Sequence, residues 1–233
     1  MTNNSNTKKS VLIIGATGAL GLQLLRHLAE ESNVEDVHVM ARDPTKLASA
    51  DLALTASVQK GDAREVEDIE QALHNTEANY VILSTGNGLD TSKSDTREST
   101  GRALANALLK PEFSHVQCIV MSSHGAAETK IIVGLGIGKL VEYHLRHVLK
   151  DHTKQESQFD ANPSLQKRTL IVRPTSLTDN KPAKSLDSVV EFDGAKKSPT
   201  INVDRSDIAA WVAREIATKP TIAGRKVCLT NAK

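Results

Sequence analysis

The fold of this chain is decided by Ser10-Val11-Leu12-Ile13-Ile14-Gly15-Ala16-Thr17-Gly18-Ala19-Leu20-Gly21. An apolar run of strand length is followed by three glycines spaced three residues apart. Leu20, Leu24, Leu25 and Leu28 then recur on one face of a helix. This order predicts a strand, a tight turn and a helix.

The three glycines suit a turn that holds a phosphate. Gly15 allows a sharp turn at the end of the strand, Gly18 leaves room for a pyrophosphate to approach the backbone, and Gly21 lets the helix lie close to the strand. The helix amino terminus adds free N–H groups and a partial positive charge. We therefore expect a nucleotide pyrophosphate against Gly15, Thr17, Gly18, Ala19, Leu20 and Gly21.

The next predicted strand, Val37 to Ala41, ends in Arg42. An acidic residue there would bind the ribose hydroxyl of NAD, whereas a guanidinium can bind the 2′-phosphate of NADP in two places. Arg42 is otherwise a solvated charge at a strand end. Asp43 would suit NAD, but Asp43-Pro44 is also typical of a helix cap followed by proline at the first helical position. We interpret the pattern as favouring NADP(H).

Composition limits the function classes. The chain has 233 residues, enough for one α/β domain, which we place at residues 10–233 after a disordered tail at residues 1–9. Its 29 basic and 28 acidic side chains give a net charge of +1, which favours neither nucleic acid nor an anionic membrane as a partner. No apolar stretch is long enough to span a bilayer. Cys118 and Cys228 lie in apolar runs, as expected of free thiols in a cytoplasmic protein.

Further strands alternate with helical segments along the chain. This alternation predicts a single doubly wound parallel sheet of the α/β class, with ligands outside the carboxyl ends of its strands. Asp62 and Ala63 follow the third strand, where Asp62 either caps the next helix in a capping box with Glu65 or faces the adenine. Thr85-Gly86 follow the fourth strand, as a plain turn or as backbone beside the cofactor.

The fifth strand delivers Ser122, Ser123 and His124 to the same edge, where they could hydrogen-bond a developing negative charge. His124 could also change its charge near neutral pH, although a loop histidine is more often simply solvated. We expect residues 123–138 and 175–203 to form walls on the substrate side. A helix is predicted over Lys139 to Lys150, with Leu140 and Val148 on its inner face, followed by an exposed polar excursion over residues 151–168.

Several of these motifs, in order, resemble the atypical short-chain dehydrogenase/reductases, in particular the small NmrA-like and biliverdin reductase B/flavin reductase-like group. They are the glycine turn, Ala41-Arg42-Asp43-Pro44, Gly61-Asp62, Met121-Ser122-Ser123, Val172-Arg173-Pro174 and the segment Asp204 to Ile208. The resemblance implies a Rossmann-like fold with a small C-terminal substrate-side extension, bound NADP(H), and Arg173-Pro174 beside the nicotinamide.

In that superfamily a serine after the fifth strand acts with a Tyr-x-x-x-Lys pair on the next helix. The resemblance places Ser122 and Lys139 in these roles, but Leu135 stands where the tyrosine belongs. Tyr143, one turn after Lys139, is either a displaced acid or an ordinary surface tyrosine.

We therefore predict an NADPH-dependent oxidoreductase. It would transfer hydride to a small conjugated or aromatic acceptor such as a quinone, flavin, enone or tetrapyrrole, as a monomer or homodimer and without a metal. Two alternatives remain open: a non-catalytic NADP(H)-binding redox sensor, favoured by the missing tyrosine, and a recruited isomerase or cyclase on the same fold.

Overall fold

The computed structural model describes residues 9–179, 189–222 and 224–232. The strands are β1 (Lys9–Ile14), β2 (Val34–Ala41), β3 (Ser57–Lys60), β4 (Tyr80–Leu83), β5 (Gln117–Met121), β6 (Thr169–Pro174), β7 (Ser176–Thr178), β8 (Val189–Phe192), β9 (Asn202–Asp204) and β10 (Arg225–Asn231). The helices are α1 (Ala19–Glu30), α2 (Ser49–Leu52), α3 (Val66–Thr76), α4 (Thr96–Leu108), α5 (Ile137–His144), α6 (Arg146–Asp160), α7 (Pro163–Gln166) and α8 (Arg205–Thr218).

Eight strands form one sheet in the order β3-β2-β1-β4-β5-β6-β10-β8. All neighbouring pairs are parallel except the edge pair β10 and β8. Strand order reverses between β1 and β4, so their carboxyl ends flank a crevice. β7 and β9 form a separate parallel ladder just after β6. The predicted α/β doubly wound sheet is confirmed.

Helices cover both faces of the sheet because side chains alternate along each strand. On one face Val11 and Ile13 of β1 pack in a buried cluster with leucines of α1 and with Ile208 and Val212 of α8. On the other face Leu12 and Ile14 pack with apolar residues of α3, α4 and α6. The apolar strands are therefore buried on both sides.

Lys9 corrects the predicted start of the folded chain. It is the first residue of β1 rather than part of a tail, and its buried ammonium donates to the carbonyls of Ile216, Ala217 and Lys219. These carbonyls end α8, where a cation is favoured. Residues 1–8 of the predicted tail lie outside the described residues.

The predicted capping box at Asp62 is wrong. α3 begins after Glu65, and Asp62 instead accepts from the backbone N–H of Arg64. The Asp62 N–H donates to Oδ2 of Asp68 at 2.7 Å, so Asp68 takes the part expected of Glu65.

Residues 151–168 do not form the predicted exposed excursion. α6 runs through them to Asp160 and packs closely against α4. The predicted inner face of the preceding segment is also wrong, because Leu140 is 69% exposed while Leu149 is buried. α6 buries polar side chains, namely Asp151, His152, Gln155 and Glu156.

Candidate functional site

The crevice between β1 and β4 opens into a groove made of two adjoining clefts. The first cleft encloses about 260 Å³ and extends toward β2 and β3, and the second encloses about 440 Å³ and extends toward β5 and β6. Both are lined by Gly18, Ser84, Thr85 and Gly86, so they are neighbouring parts of one groove.

The turn between β1 and α1 has the geometry that its glycines predict. Gly15 has a φ of +96°, and a Cβ there would lie 2.5 Å from the carbonyl oxygen of Ser84. A Cβ on Gly21 would lie 2.3 Å from the carbonyl oxygen of Gly15. Both positions therefore require glycine.

The amino terminus of α1 is open. Gly18 is the N-cap residue, without a capping side chain, and the first helical hydrogen bond runs from the N–H of Leu22 to the Gly18 carbonyl. The N–H groups of Ala19 and Leu20 precede it and have no helical acceptor. Gly18 and Ala19 are exposed at the groove. An anion is the ligand that such a terminus favours.

The first cleft is cationic. Arg42 follows β2 and is exposed, and Lys46 and Arg64 line the same cleft together with Asp62 and Ala63. Arg64 donates to Asp95 and Thr96, and the other two basic side chains among the described residues of this lining are Arg42 and Lys46.

Asp43 is engaged locally. Its Oδ1 accepts from the N–H and the hydroxyl of Thr45, at 3.2 and 2.6 Å, and Pro44 begins the short 3₁₀ turn that it caps. The cap predicted from Asp43-Pro44 is confirmed.

The second cleft lies beyond Gly86, between the ends of β5 and β6. Its lining includes Ser122, Ser123, Pro174 and residues of the β7 segment. Ser123 of the predicted wall 123–138 lines it, and Thr175, Ser176, Leu177 and Asp179 come from the other predicted wall. Residues 180–188 of that wall lie outside the described residues.

Ser122 is held by a buried ionic network. Its hydroxyl is 2.5 Å from Oε1 of Glu156, which is 1% exposed, and the Arg173 guanidinium donates to both oxygens of that carboxylate. Arg173 also donates to Glu128, at 2.7 and 3.1 Å. Because a carboxylate bound by a guanidinium only accepts, the Ser122 hydroxyl donates its one proton to Glu156.

The network changes two expectations. Burial alone would lower the pKa of Arg173, but its hydrogen bonds to Glu156 and Glu128 outweigh burial and hold the pKa above its usual value. Arg173 therefore remains a cation bound to carboxylates behind Ser122, and it does not line either cleft. Ser122 lines the second cleft but has no proton to donate to a ligand.

Lys139 and Tyr143 do not lie where the expected pair would act. Both are exposed on α5, and neither lines either cleft. The Tyr143 ring instead packs under the guanidinium of Arg146, at 4.5 Å from the ring centroid. The helix that contacts Ser122 is α6, which begins after both residues.

His124 is buried beside the sheet rather than solvated. Its ring meets Phe192 edge-on, with centroids 5.0 Å apart, and burial lowers its pKa. It does not line the second cleft.

Sequence reasoning missed two residues of the second cleft, Arg97 and His152. A signal was present, because Leu149, His152, Glu156 and Phe159 follow helical spacing and all are buried. Its polar members are typical of an exposed segment, which is why composition alone does not predict their burial. Burial, together with the nearby cation Arg97, lowers the pKa of His152 to about 3, so its imidazole is neutral at physiological pH.

Among residues 9–179, 189–222 and 224–232, no group of three or more His, Cys, Asp or Glu side chains is arranged to hold a metal ion. In the same residues, no helix is long and apolar enough to cross a membrane.

The sheet order and the glycine turn at the switch point define a dinucleotide-binding α/β protein. A family model described as NAD(P)H-binding matches residues 15–219, and the chain belongs to this family.

Solved structures show the same fold. A Rossmann-fold NAD(P)-binding family protein from Shigella flexneri is 19% identical, with a TM-score of 0.69 over 96% of this chain and 94% of that one. An oxidoreductase from Lactococcus lactis is 18% identical, with a TM-score of 0.68 over 96% and 91%. A short-chain dehydrogenase/reductase from Veillonella parvula, in complex with NADP, is 14% identical, with a TM-score of 0.70 over 95% and 94%.

Proposed function

We propose that the protein is an NADPH-dependent oxidoreductase that reduces a small conjugated or aromatic acceptor. The choice of cofactor rests on two neighbouring side chains at the end of β2. Arg42 is exposed, whereas the carboxylate of Asp43 accepts a hydrogen bond from the Thr45 hydroxyl. A guanidinium is free to bind a 2′-phosphate there, while the neighbouring carboxylate is held by Thr45 and does not line the cleft.

The roles of the groove residues follow from this assignment. The pyrophosphate would lie on the N–H groups at the start of α1, the adenine near Asp62 and Ala63, and the adenosine ribose and its phosphate near Arg42. Thr85 and Gly86 would border the second ribose, and Ser122 and Pro174 the nicotinamide. The Thr85 hydroxyl contacts that of Thr100 at 2.7 Å, which keeps the backbone after β4 in place.

Bound NADPH would supply a hydride to the acceptor, which takes its proton from water. The chain contributes mainly orientation, because the Ser122 proton is committed to Glu156. Ser122 can still accept a hydrogen bond from a carboxamide or hydroxyl, and Glu156 and Arg173 fix its position. This chemistry suits acceptors that are reduced easily, such as quinones, flavins and enones.

We expect Arg42→Asp to weaken NADPH binding by about a hundredfold and NADH binding by less than about threefold, because only NADPH has the 2′-phosphate. Titration calorimetry with both nucleotides measures this difference. Arg146→Asp is the matched control, since Arg146 is exposed on α6 outside the groove. Equal losses for the two nucleotides would contradict the NADP assignment.

Turnover separates the enzyme from the alternatives. We expect steady NADPH oxidation, followed at 340 nm, with at least one member of a panel of quinones, flavins and enones. Tight NADPH binding without oxidation would instead support a redox sensor. The hydrogen bond in which Ser122 donates its proton to Glu156 also favours a sensor, because this proton is not available to a substrate. Conversion of a substrate without net nucleotide oxidation would support an isomerase or cyclase.

A further inference from the structure

Arg97 is a buried cation at the floor of the second cleft. Its side chain is 10% exposed, and it lies against Gly86, where a Cβ would be 2.9 Å from its Nη2. The absence of a side chain at Gly86 therefore gives the guanidinium access to the groove. Its Nε has no hydrogen-bond partner among the described residues.

The carboxylate of Asp151 neutralises the charge of the Arg97 guanidinium only weakly. Asp151 lies 3.5 Å from Nη1, because its oxygens already accept from the backbone N–H groups of Arg97 and Glu98, at 3.1 and 2.9 Å. Burial lowers the pKa of Arg97 in spite of Asp151. A buried charge with an incomplete partner is costly, and a further anion would stabilise it.

The other polar groups that line the second cleft leave the Arg97 guanidinium available to a ligand. Arg205 is paired with Asp179 at 2.7 Å, and among the described residues of the lining Asp179 is the one carboxylate. His152 lines the same cleft and is 8% exposed, and its Nδ1 has no partner among the described residues. An uncharged imidazole can hydrogen-bond a ligand without adding charge.

We propose that the second cleft takes an acceptor that carries a carboxylate, with Arg97 binding the carboxylate and His152 hydrogen-bonding the same molecule. This inference rests on the proposed function, because it places the acceptor beside the nicotinamide end of the groove. The substrate class is thus a conjugated or aromatic acid rather than a neutral quinone or enone.

The test uses trans-cinnamate and its uncharged amide, cinnamamide, which have nearly the same shape. Calorimetry on the full chain, with and without saturating NADP⁺, measures the dissociation constant of each probe. Hydrogen bonds to a buried cation predict that cinnamate binds about tenfold to a hundredfold more tightly than cinnamamide. Equal affinities of the unmodified protein for the two probes would overturn the proposal.

Variants identify the residue that binds the carboxylate. Arg97→Gln is expected to bring the two probes to within about twofold of each other, whereas Arg102→Gln, on the same helix but 53% exposed, keeps the full preference. Arg97→Lys retains the positive charge and provides a second variant in case the glutamine variant does not fold. We expect it to keep a reduced preference for cinnamate over cinnamamide. A preference that survives in a folded Arg97→Gln would assign the carboxylate to another cation.

Two further readouts separate this inference from the proposed function. If Arg97 served the nucleotide instead, Arg97→Gln would weaken NADPH as strongly as cinnamate, which would also overturn the inference. Failure of every acceptor to oxidise NADPH would remove the enzyme assignment. The ratio of cinnamate to cinnamamide binding, measured without nucleotide as well, would still decide the carboxylate site.

Discussion

Replacing Arg173 with methionine is expected to lower the free energy of unfolding by about 3–5 kcal/mol. The substitution retains an apolar stem but leaves Glu156, which is 1% exposed, without the cation that binds both of its oxygens. An unpaired buried carboxylate is among the most costly changes in a protein interior. Urea denaturation followed by circular dichroism measures the loss.

Arg225→Met is the matched control. Arg225 also bridges two carboxylates, Glu191 and Glu215, but its side chain is 33% exposed, and exposed pairs contribute less than about 1 kcal/mol. Adding Glu156→Gln to Arg173→Met is expected to restore part of the lost stability, because the buried charge is gone. Similar losses in Arg173→Met and Arg225→Met would show that the buried network contributes no more to the free energy of unfolding than the exposed one does.

Replacing Gly18 with aspartate is expected to weaken NADPH binding by at least about a hundredfold without unfolding the protein. Gly18 is the N-cap of α1 with an extended backbone, and a Cβ there would be 3.4 Å from its nearest neighbour, so the side chain can be accommodated. Aspartate is a favoured N-cap residue and would hold the first-turn N–H groups that we assign to the pyrophosphate. Two like charges about 4 Å apart near a protein surface repel by about 4 kcal/mol.

The stability of this variant distinguishes blocking from misfolding. We expect its melting temperature to equal or slightly exceed that of the unmodified protein, while calorimetry detects little nucleotide binding. Gly18→Ala, which adds the Cβ without the charge, should retain NADPH binding within about tenfold. Unchanged affinity in Gly18→Asp would move the pyrophosphate away from the start of α1.

The fold and the first cleft could be predicted because their determinants are local. The strand from Val11 to Ile14, the glycine turn and the α1 leucines are adjacent in the chain, and Arg42 follows a recognisable strand. Parallel strands buried on both faces have apolar sequences that make their boundaries clear. Each of these features can be recognised in the sequence without knowing which distant residues pack against it.

The second cleft could not be predicted in the same way, because its polar residues depend on partners far along the chain. Glu156 is buried only because Arg173, 17 positions later, neutralises it. His152 is buried on a helix that packs against α4, and its sequence neighbours are charged. Composition alone therefore indicates an exposed segment, and the predicted partners of Ser122, Lys139 and Tyr143, lie on α5, whereas its observed partner Glu156 lies on α6.

Asp151 bears on the direction in which a dinucleotide would lie along the groove. The amide terminus of α4 is already occupied by the Asp151 carboxylate, while that of α1 is open. We therefore expect a diphosphate to bind at α1 rather than at α4, with Arg42 on one side of it and Pro174 on the other. A dinucleotide bound in this way would lie in one direction along the groove, with its adenosine end toward Arg42 and its nicotinamide end toward Pro174.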